Sequence, residues 1–336
     1  MERLFLYALA VVILLSFLAC TPQTEQNSKG RGGKMTVVTT LFPMYDFARR
    51  IGGEHAAVRL LLPPGAEAHS FEPKPSDMAT VGSADIFIFT HRAMEPWSDR
   101  IVAATKSPSL LVVDASRGCR TIPVRTPHKH HGEHGELKGH GDHGKGEDHR
   151  EHEEHETENG RVDPHLWLDF DNARLMVKNI ADAFVAKDPS HADTYRANAS
   201  RLDSDLAELD RRFRSGLSQC RTRTFVHGGH YAFGYLADCY GLHYRSAQAV
   251  SPDSDPTPRE IASLLQMVRR EKLSHVFAEE IVSPRIAELI SRETGVSILY
   301  LHGGHNLTGD QLAQGTTFIQ LMEKNLQSLR IGLGCP

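Results

Sequence analysis

Twenty of the 336 residues are histidine, and fourteen of them fall into two sets that could do chemistry. Between positions 128 and 155 stand nine of them: His128, His130, His131, His134, His140, His143, His149, His152 and His155. Glycines, acids and lysines separate them, with Leu137 almost the only apolar residue. Such a stretch cannot bury enough surface to fold. Imidazoles interleaved with carboxylates are ligands of intermediate softness that suit zinc, nickel or copper, and they lose metal as they protonate near pH ~6.5. The second set is scattered: His69, His165, His230, His302 and His305, with the acidic pair Glu279-Glu280. A lone histidine is more often structural than ligating. Several of them, placed where strands end, point instead to a nitrogen-rich metal site of the kind zinc occupies.

The elements that would place this second set can be read around it. From Met35 to Leu41 the chain is β-branched and reads as a strand, and from Met44 to Ile51 as a helix stopped by Gly52-Gly53. Val58 to Leu62 is a second strand, Pro75 opens another helix, and Asp85 to Phe89 and Leu110 to Val113 are further strands. The same order returns later. Thr224 to Val226, Leu242 to Arg245, His275 to Ala278 and Ser297 to Leu301 read as strands; Tyr231 to Tyr240 and Pro258 to Glu271 read as helices. The second of these helices has Thr257, Pro258 and Glu260 at capping-box spacing. Two helical stretches, from Asn172 to Lys187 and from about His191 to Leu217, lie between the copies; Tyr195, Leu202, Leu206, Leu209, Phe213 and Leu217 form one apolar face of the latter. The expected fold is therefore α/β: two similar lobes of parallel sheet flanked by helices. In such sheets ligands gather outside the carboxyl ends of the strands. His69, His230, His302, His305, Glu279 and Glu280 all follow expected strands.

Three stretches, Leu61 to Pro73 (LLPPGAEAHSFEP), Asp163 to Leu168 (DPHLWL) and His230 to Leu242 (HYAFGYLADCYGL), resemble the cluster A-I substrate-binding proteins of zinc and manganese ABC transporters. The resemblance runs from Met35 to Leu329. It implies two lobes joined by a long rigid helix, with one metal ion in the cleft between them held by His69, His165 and His230. The histidine-rich insert looks like the zinc branch of that family. Many relatives place an aspartate after the last strand, where this chain has Leu301-His302-Gly303-Gly304-His305. His302 is the expected fourth ligand, with Glu280, His305 and Glu67 around the site. The implied partners are a membrane permease and, through it, an ATPase. Zinc is the cargo, the chain a monomer, and catalysis is not expected. Two other readings exist. A hydrolase could use three histidines and a bound water, with Glu279 or Glu280 as base, but no HExxH pair is present. A metal-binding surface adhesin would look the same.

The ends add localisation. Met1-Glu2-Arg3 precedes an uncharged run from Leu4 to Ala19, then Cys20. The run is short for a membrane span and right for a signal peptide, and Ala19-Cys20 suits cleavage with lipid attachment to Cys20; an ordinary signal peptide or an uncleaved anchor are the alternatives. The expected organisation is a signal at 1–20, a flexible tether at 21–34, a first lobe at 35–168 with a disordered loop at 120–160, a linker helix at 169–189 and a second lobe at 190–336. The product is exported, periplasmic or cell-surface, and tied by lipid to a bacterial membrane. Export permits disulfides among Cys119, Cys220, Cys239 and Cys335, in any of three full pairings. A net charge of -4 offers no general surface for nucleic acid.

Overall fold

The computed structural model describes residues 33–105, 107–124, 162–250, 255–281 and 283–336. Residues Met35–Pro336 pack as one compact unit. Its first sheet contains β1 (Met35–Thr39), β2 (Ala56–Leu60), β3 (Ile86–Phe89) and β4 (Leu111–Asp114), and its second β5 (Thr224–His227), β6 (His243–Ser246), β7 (His275–Glu279) and β8 (Ser297–Leu301). The spatial orders are β2-β1-β3-β4 and β6-β5-β7-β8, all pairs parallel. The two copies expected from the order of elements thus have one topology. In each, the chain leaves the first strand to one side and returns on the other. That reversal opens a crevice at the strands' carboxyl ends.

Alternation within the strands sorts the core into three parts. In the first sheet Val38, Phe87 and Phe89 face α2 (Pro75–Gly82) and α3 (Ser98–Thr105), packing with Val81 and Ile101. In the second, Val226, Val276 and Ala278 pack with residues of α7 (Pro258–Arg270) and α8 (Arg285–Thr294). The other faces share one apolar mass. Val37, Ile86 and Ile88 of the first sheet join Phe225 and Phe277 of the second in a continuous cluster. It is filled by α1 (Phe42–Gly52), α4 (Phe170–Lys187), α5 (Ala192–Gly216) and, after the short α9 (Gly309–Ala313), α10 (Phe318–Leu333). Phe170 packs edge-on against Phe213 and Phe318 there, and Phe47 against Phe318.

The single connecting helix expected over residues 169–189 is one arm of a pair. α4 is capped by Asp169, whose carboxylate accepts from Asp171 N and Asn172 N, so the helix begins at Phe170 rather than Asn172. The 25-residue α5 lies beside it and against α1. The helix expected from Tyr231 to Tyr240 shortens to α6 (Gly234–Cys239). Tyr231 N is held instead by Ala249 O, and a Cβ on Gly234 would stand 2.3 Å from Asp163 Oδ2, so this bend is built around a close approach to the other lobe.

The histidine-rich insert, from His128 to His155, lies outside the described residues, as do Cys20 and the rest of 1–32. The expectation of disorder from residue 120 is too wide at its start. Arg120 pairs with Asp169 and Asp238 at 2.8 and 2.6 Å, and Pro123 bridges Val162. The two ends of the insert are thereby held side by side, and the chain re-emerges directly at Asp163. Cys220 is bonded to Cys335, while Cys119 and Cys239 are free thiols. Among the described residues no helix is long and apolar enough to cross a membrane.

Candidate metal centre

Three imidazoles from three separate segments meet in the crevice. His69 comes from the loop after β2, His165 from the segment leading into α4, and His230 from the turn after β5. Each offers a ring nitrogen, and these atoms all lie within 4.8 Å of one another. His165 and His230 have no exposed surface. Their Nε2 atoms stand 3.4 Å apart. Two nitrogens of a tetrahedral zinc with Zn–N bonds of ~2.0–2.1 Å are separated by about 3.3–3.4 Å. The pair is already spaced as one edge of that tetrahedron.

What the other ring nitrogens do decides which histidines can ligate. His165 Nδ1 lies 2.8 Å from Asp163 Oδ1, which also accepts the His165 backbone N–H. His230 Nδ1 lies 2.8 Å from Glu279 Oε2. Each Nδ1–H donates to its carboxylate, leaving the Nε2 lone pair free toward the crevice. His69 Nε2 is buried without a partner, and its backbone N–H donates to Glu67 Oε1 at 3.0 Å. Burial, and then the neighbouring imidazoles, push His69 and His165 well below the usual histidine range, so both are neutral and ready to ligate. Burial acts the same way on His230, but the Glu279 charge and hydrogen bond outweigh it and the net displacement is upward. Glu279 answers in the opposite direction: burial would raise it, and His230 holds it low.

The structure does not bring His302 to this group. Its backbone N and O are both bonded to the Asn325 amide at 2.8 Å, and its Nδ1 accepts the Gly304 N–H at 2.9 Å. A ring that accepts at Nδ1 carries its proton on Nε2, so it has no lone pair left for a metal. The residue brought close is His305. Gly304, at φ +78°, turns the chain, and a Cβ on Gly303 would stand 2.8 Å from His305 Nδ1. The His305 ring centre lies 5.5 Å from that of His230 and 6.3 Å from that of His69. His305 forms a second close group with His230 and Glu279.

Glu280 is likewise displaced from its expected place. Glu279 ends β7 with its side chain inward, and successive strand residues point to opposite faces, so Glu280 stands away from the three-histidine group: it accepts from Gln311 and lies 3.9 Å from His302 Nε2. The orienting carboxylates are Glu279 and Asp163, neither of which sequence reading singled out for that task. Nor did it notice His227, which is buried, accepts the Gly229 N–H at Nδ1 and packs on Phe233. A signal was present for Asp163, because a carboxylate two residues before a ligating histidine is within reach of its ring.

A doubled parallel α/β unit with a buried three-histidine cluster between its lobes defines a metal-binding protein of the substrate-capturing kind. The chain belongs to the family described as zinc-uptake complex component A, periplasmic, whose model matches residues 37–332. It is 32% identical over 322 residues to the zinc-binding lipoprotein AdcA of Streptococcus pneumoniae, covering 96% of this chain and 59% of that protein. It is 30% identical to the high-affinity zinc uptake system protein ZnuA of Bacillus subtilis, covering 98% and 97%. The chain thus spans about three-fifths of the AdcA relatives and nearly the whole of ZnuA. Among solved structures, the Zn(II)-bound ZnuA-like domain of Streptococcus pneumoniae AdcA matches with a TM-score of 0.71 at 29% identity, over 90% of this chain and 99% of that one. The laminin-binding protein Lbp of Streptococcus pyogenes matches with a TM-score of 0.71 at 26% identity, over 89% and 99%. The family is one of zinc-uptake components and not of enzymes.

Proposed function

We propose that this chain is the substrate-binding protein of a zinc ABC importer, capturing Zn2+ outside the cytoplasm and delivering it to a membrane permease coupled to an ATPase. The observation that carries the reading is the pair of buried Nε2 atoms at tetrahedral spacing, each backed by a carboxylate. His69, His165 and His230 are the first three ligands, and His305 is the fourth. Four imidazoles favour zinc over manganese, which prefers more carboxylate. Against a hydrolase, Glu279 is hydrogen-bonded to a ligand's ring and is not placed to activate a water. The zinc-binding lipoprotein relative, and the run before Cys20, support a lipoprotein held at a bacterial membrane through Cys20. Adhesion is a second reading, supported by the laminin-binding relative.

Titration of metal-free protein, purified without a histidine tag, tests this. One tight zinc per chain is expected, with weaker zinc on the nine histidines from His128 to His155, and manganese should not displace the tight ion. Deleting residues 128–155 should remove only the weak class; loss of the tight one would sink the assignment.

Acid should separate the two classes as well. Solvated imidazoles protonate near pH ~6.5. Burial pushes His69 and His165 far below that, so protons compete for the cleft mainly at His230. Protonation favours the metal-free state, so zinc affinity falls with pH at both places but less steeply in the cleft. Lowering the pH from 7 to 5.5 should empty the weak class first, read by a fluorescent zinc indicator. Simultaneous loss from both would count against the division.

A further inference from the structure

The turn that carries His305 grows out of the second sheet, yet its hydrogen bonds run to the first lobe. Asn306 has no exposed surface. Its amide nitrogen donates to Pro63 O at 2.8 Å and Ala66 O at 2.7 Å, and its amide oxygen accepts the Leu307 N–H at 2.8 Å. All the amide's protons and one of its oxygen's lone pairs are thus spent on fixing two stretches of main chain to each other. Gly65 N closes the same connection by donating to Leu307 O at 2.8 Å. Residues 63–66 lead directly into Glu67 and His69; residues 303–305 lead directly into Asn306. Two further bonds reach the turn from the first lobe and the segment before α4: Phe42 N to His305 O at 3.2 Å and Trp167 Nε1 to Gly303 O at 2.8 Å.

We propose that Asn306 is a positioning residue that stitches the His69 loop to the His305 turn, so that two donors of the metal centre are held as one body and the ion leaves only when the stitch opens. The inference rests on the zinc reading of the site. The Asn306 amide bonds to no ligand ring; its effect runs through main-chain carbonyls three and six residues before His69 and through the backbone that joins it to His305. His302, by contrast, is anchored on the other side, to Asn325 of α10. The boundary between what moves with the first lobe and what stays with the second therefore falls at Gly303-Gly304, where φ is +78° at the second glycine.

The test is zinc release from the full chain into excess chelator, followed by stopped flow, for wild type and Asn306→Ala. Losing an outer support of a metal site typically costs 10–100-fold in affinity, and here that loss should appear as an off-rate at least tenfold faster. The thermal stabilisation that zinc confers should shrink with it. Asn306→Ser, which keeps one short donor, should release at an intermediate rate. A merely structural role would lower the melting temperatures of the metal-free and zinc-loaded forms equally and leave the off-rate unchanged; that result overturns the proposal. Amide exchange on the wild-type protein needs no variant to fold: the Gly65 and Leu307 amides should exchange at least tenfold more slowly with zinc than without, and equal rates would again overturn it. A wild-type chain that takes up no zinc overturns the reading of the site itself, and the stitch with it. A wild-type chain that holds zinc, beside a variant that releases it at the same rate, overturns the stitch alone.

Discussion

Replacing His230 with alanine is expected to weaken zinc binding by roughly 60–700-fold, the scale obtained by dividing ~10–16 kcal/mol for a four-ligand zinc site among its ligands at 1.4 kcal/mol per tenfold. Of the cluster, His230 is the member with most to lose. It supplies one end of the 3.4 Å Nε2 pair and is the hydrogen-bond partner of Glu279, which is buried among His227, His230 and His305. Its removal takes a ligand and leaves a buried carboxylate without its main partner, a fault that destabilises the metal-free protein as well. Competition against a chromophoric chelator measures the first effect and thermal melting of the metal-free form the second. The same assay ranks the disputed histidines. His305→Ala should weaken zinc by at least tenfold. His302→Ala should change it by less than about threefold, because that ring's Nδ1 already takes a backbone N–H and its Nε2 carries the proton. If His302→Ala were the more damaging of the two, the fourth ligand would be misassigned.

The second large effect is on stability. Cys220 and Cys335 close a loop of 115 residues. Chain-entropy reasoning assigns a crosslink of that span about 4–5 kcal/mol. The bond fastens the chain beyond α10 to the entrance of β5, beside two backbone hydrogen bonds, Arg221 N to Gly334 O and Thr222 N to Leu333 O. Without it the last turn of α10 can fray from the shared core. The double variant Cys220→Ser/Cys335→Ser should melt about 6–8 °C lower, given the unfolding entropy of a chain this size. Its zinc affinity should stay within a fewfold, since the bond touches none of the ligating segments. Identical melting of the oxidised protein and the variant would remove the disulfide from any account of stability.

How far the sequence could be read depended on the kind of interaction that settles each feature. The succession of elements along the chain and the lobe duplication were legible because they rest on local alternation and on punctuation by glycine and proline. β8 falls on the expected residues, from Ser297 to Leu301, and α7 on the capping box at Thr257. His69, His165 and His230 were legible because strand ends and a short motif place them. The choice between His302 and His305 was not, because it turns on which ring nitrogen accepts the Gly304 N–H and on the grip of Asn325 from a helix 23 residues away. Position next to the strand argues for His302; the Gly304 N–H on its Nδ1 is why His305 is proposed instead. The shortened α6 was missed for a similar reason: the apolar periodicity from Tyr231 onward is helical, but Gly234 must pass against Asp163 of the other lobe. α10 was overlooked although Thr317 and Gln320 stand at capping-box spacing before it.

The central apolar mass has a consequence for how the molecule holds together in time. Phe47, Phe170, Phe213 and Phe318 come from four helices, and each is fully buried in a cluster that also contains inward residues of both sheets. Cutting the chain between the copies would expose all four rings at once, and burying a side chain of that size is worth about 1.5–3 kcal/mol. Neither half has an interior of its own to fall back on, only the thinner packing on its outer face. The duplicated plan is therefore twofold in outline, while the described residues of both copies share one core. A zinc ion bound at the seam therefore stabilises the whole folded unit rather than one lobe.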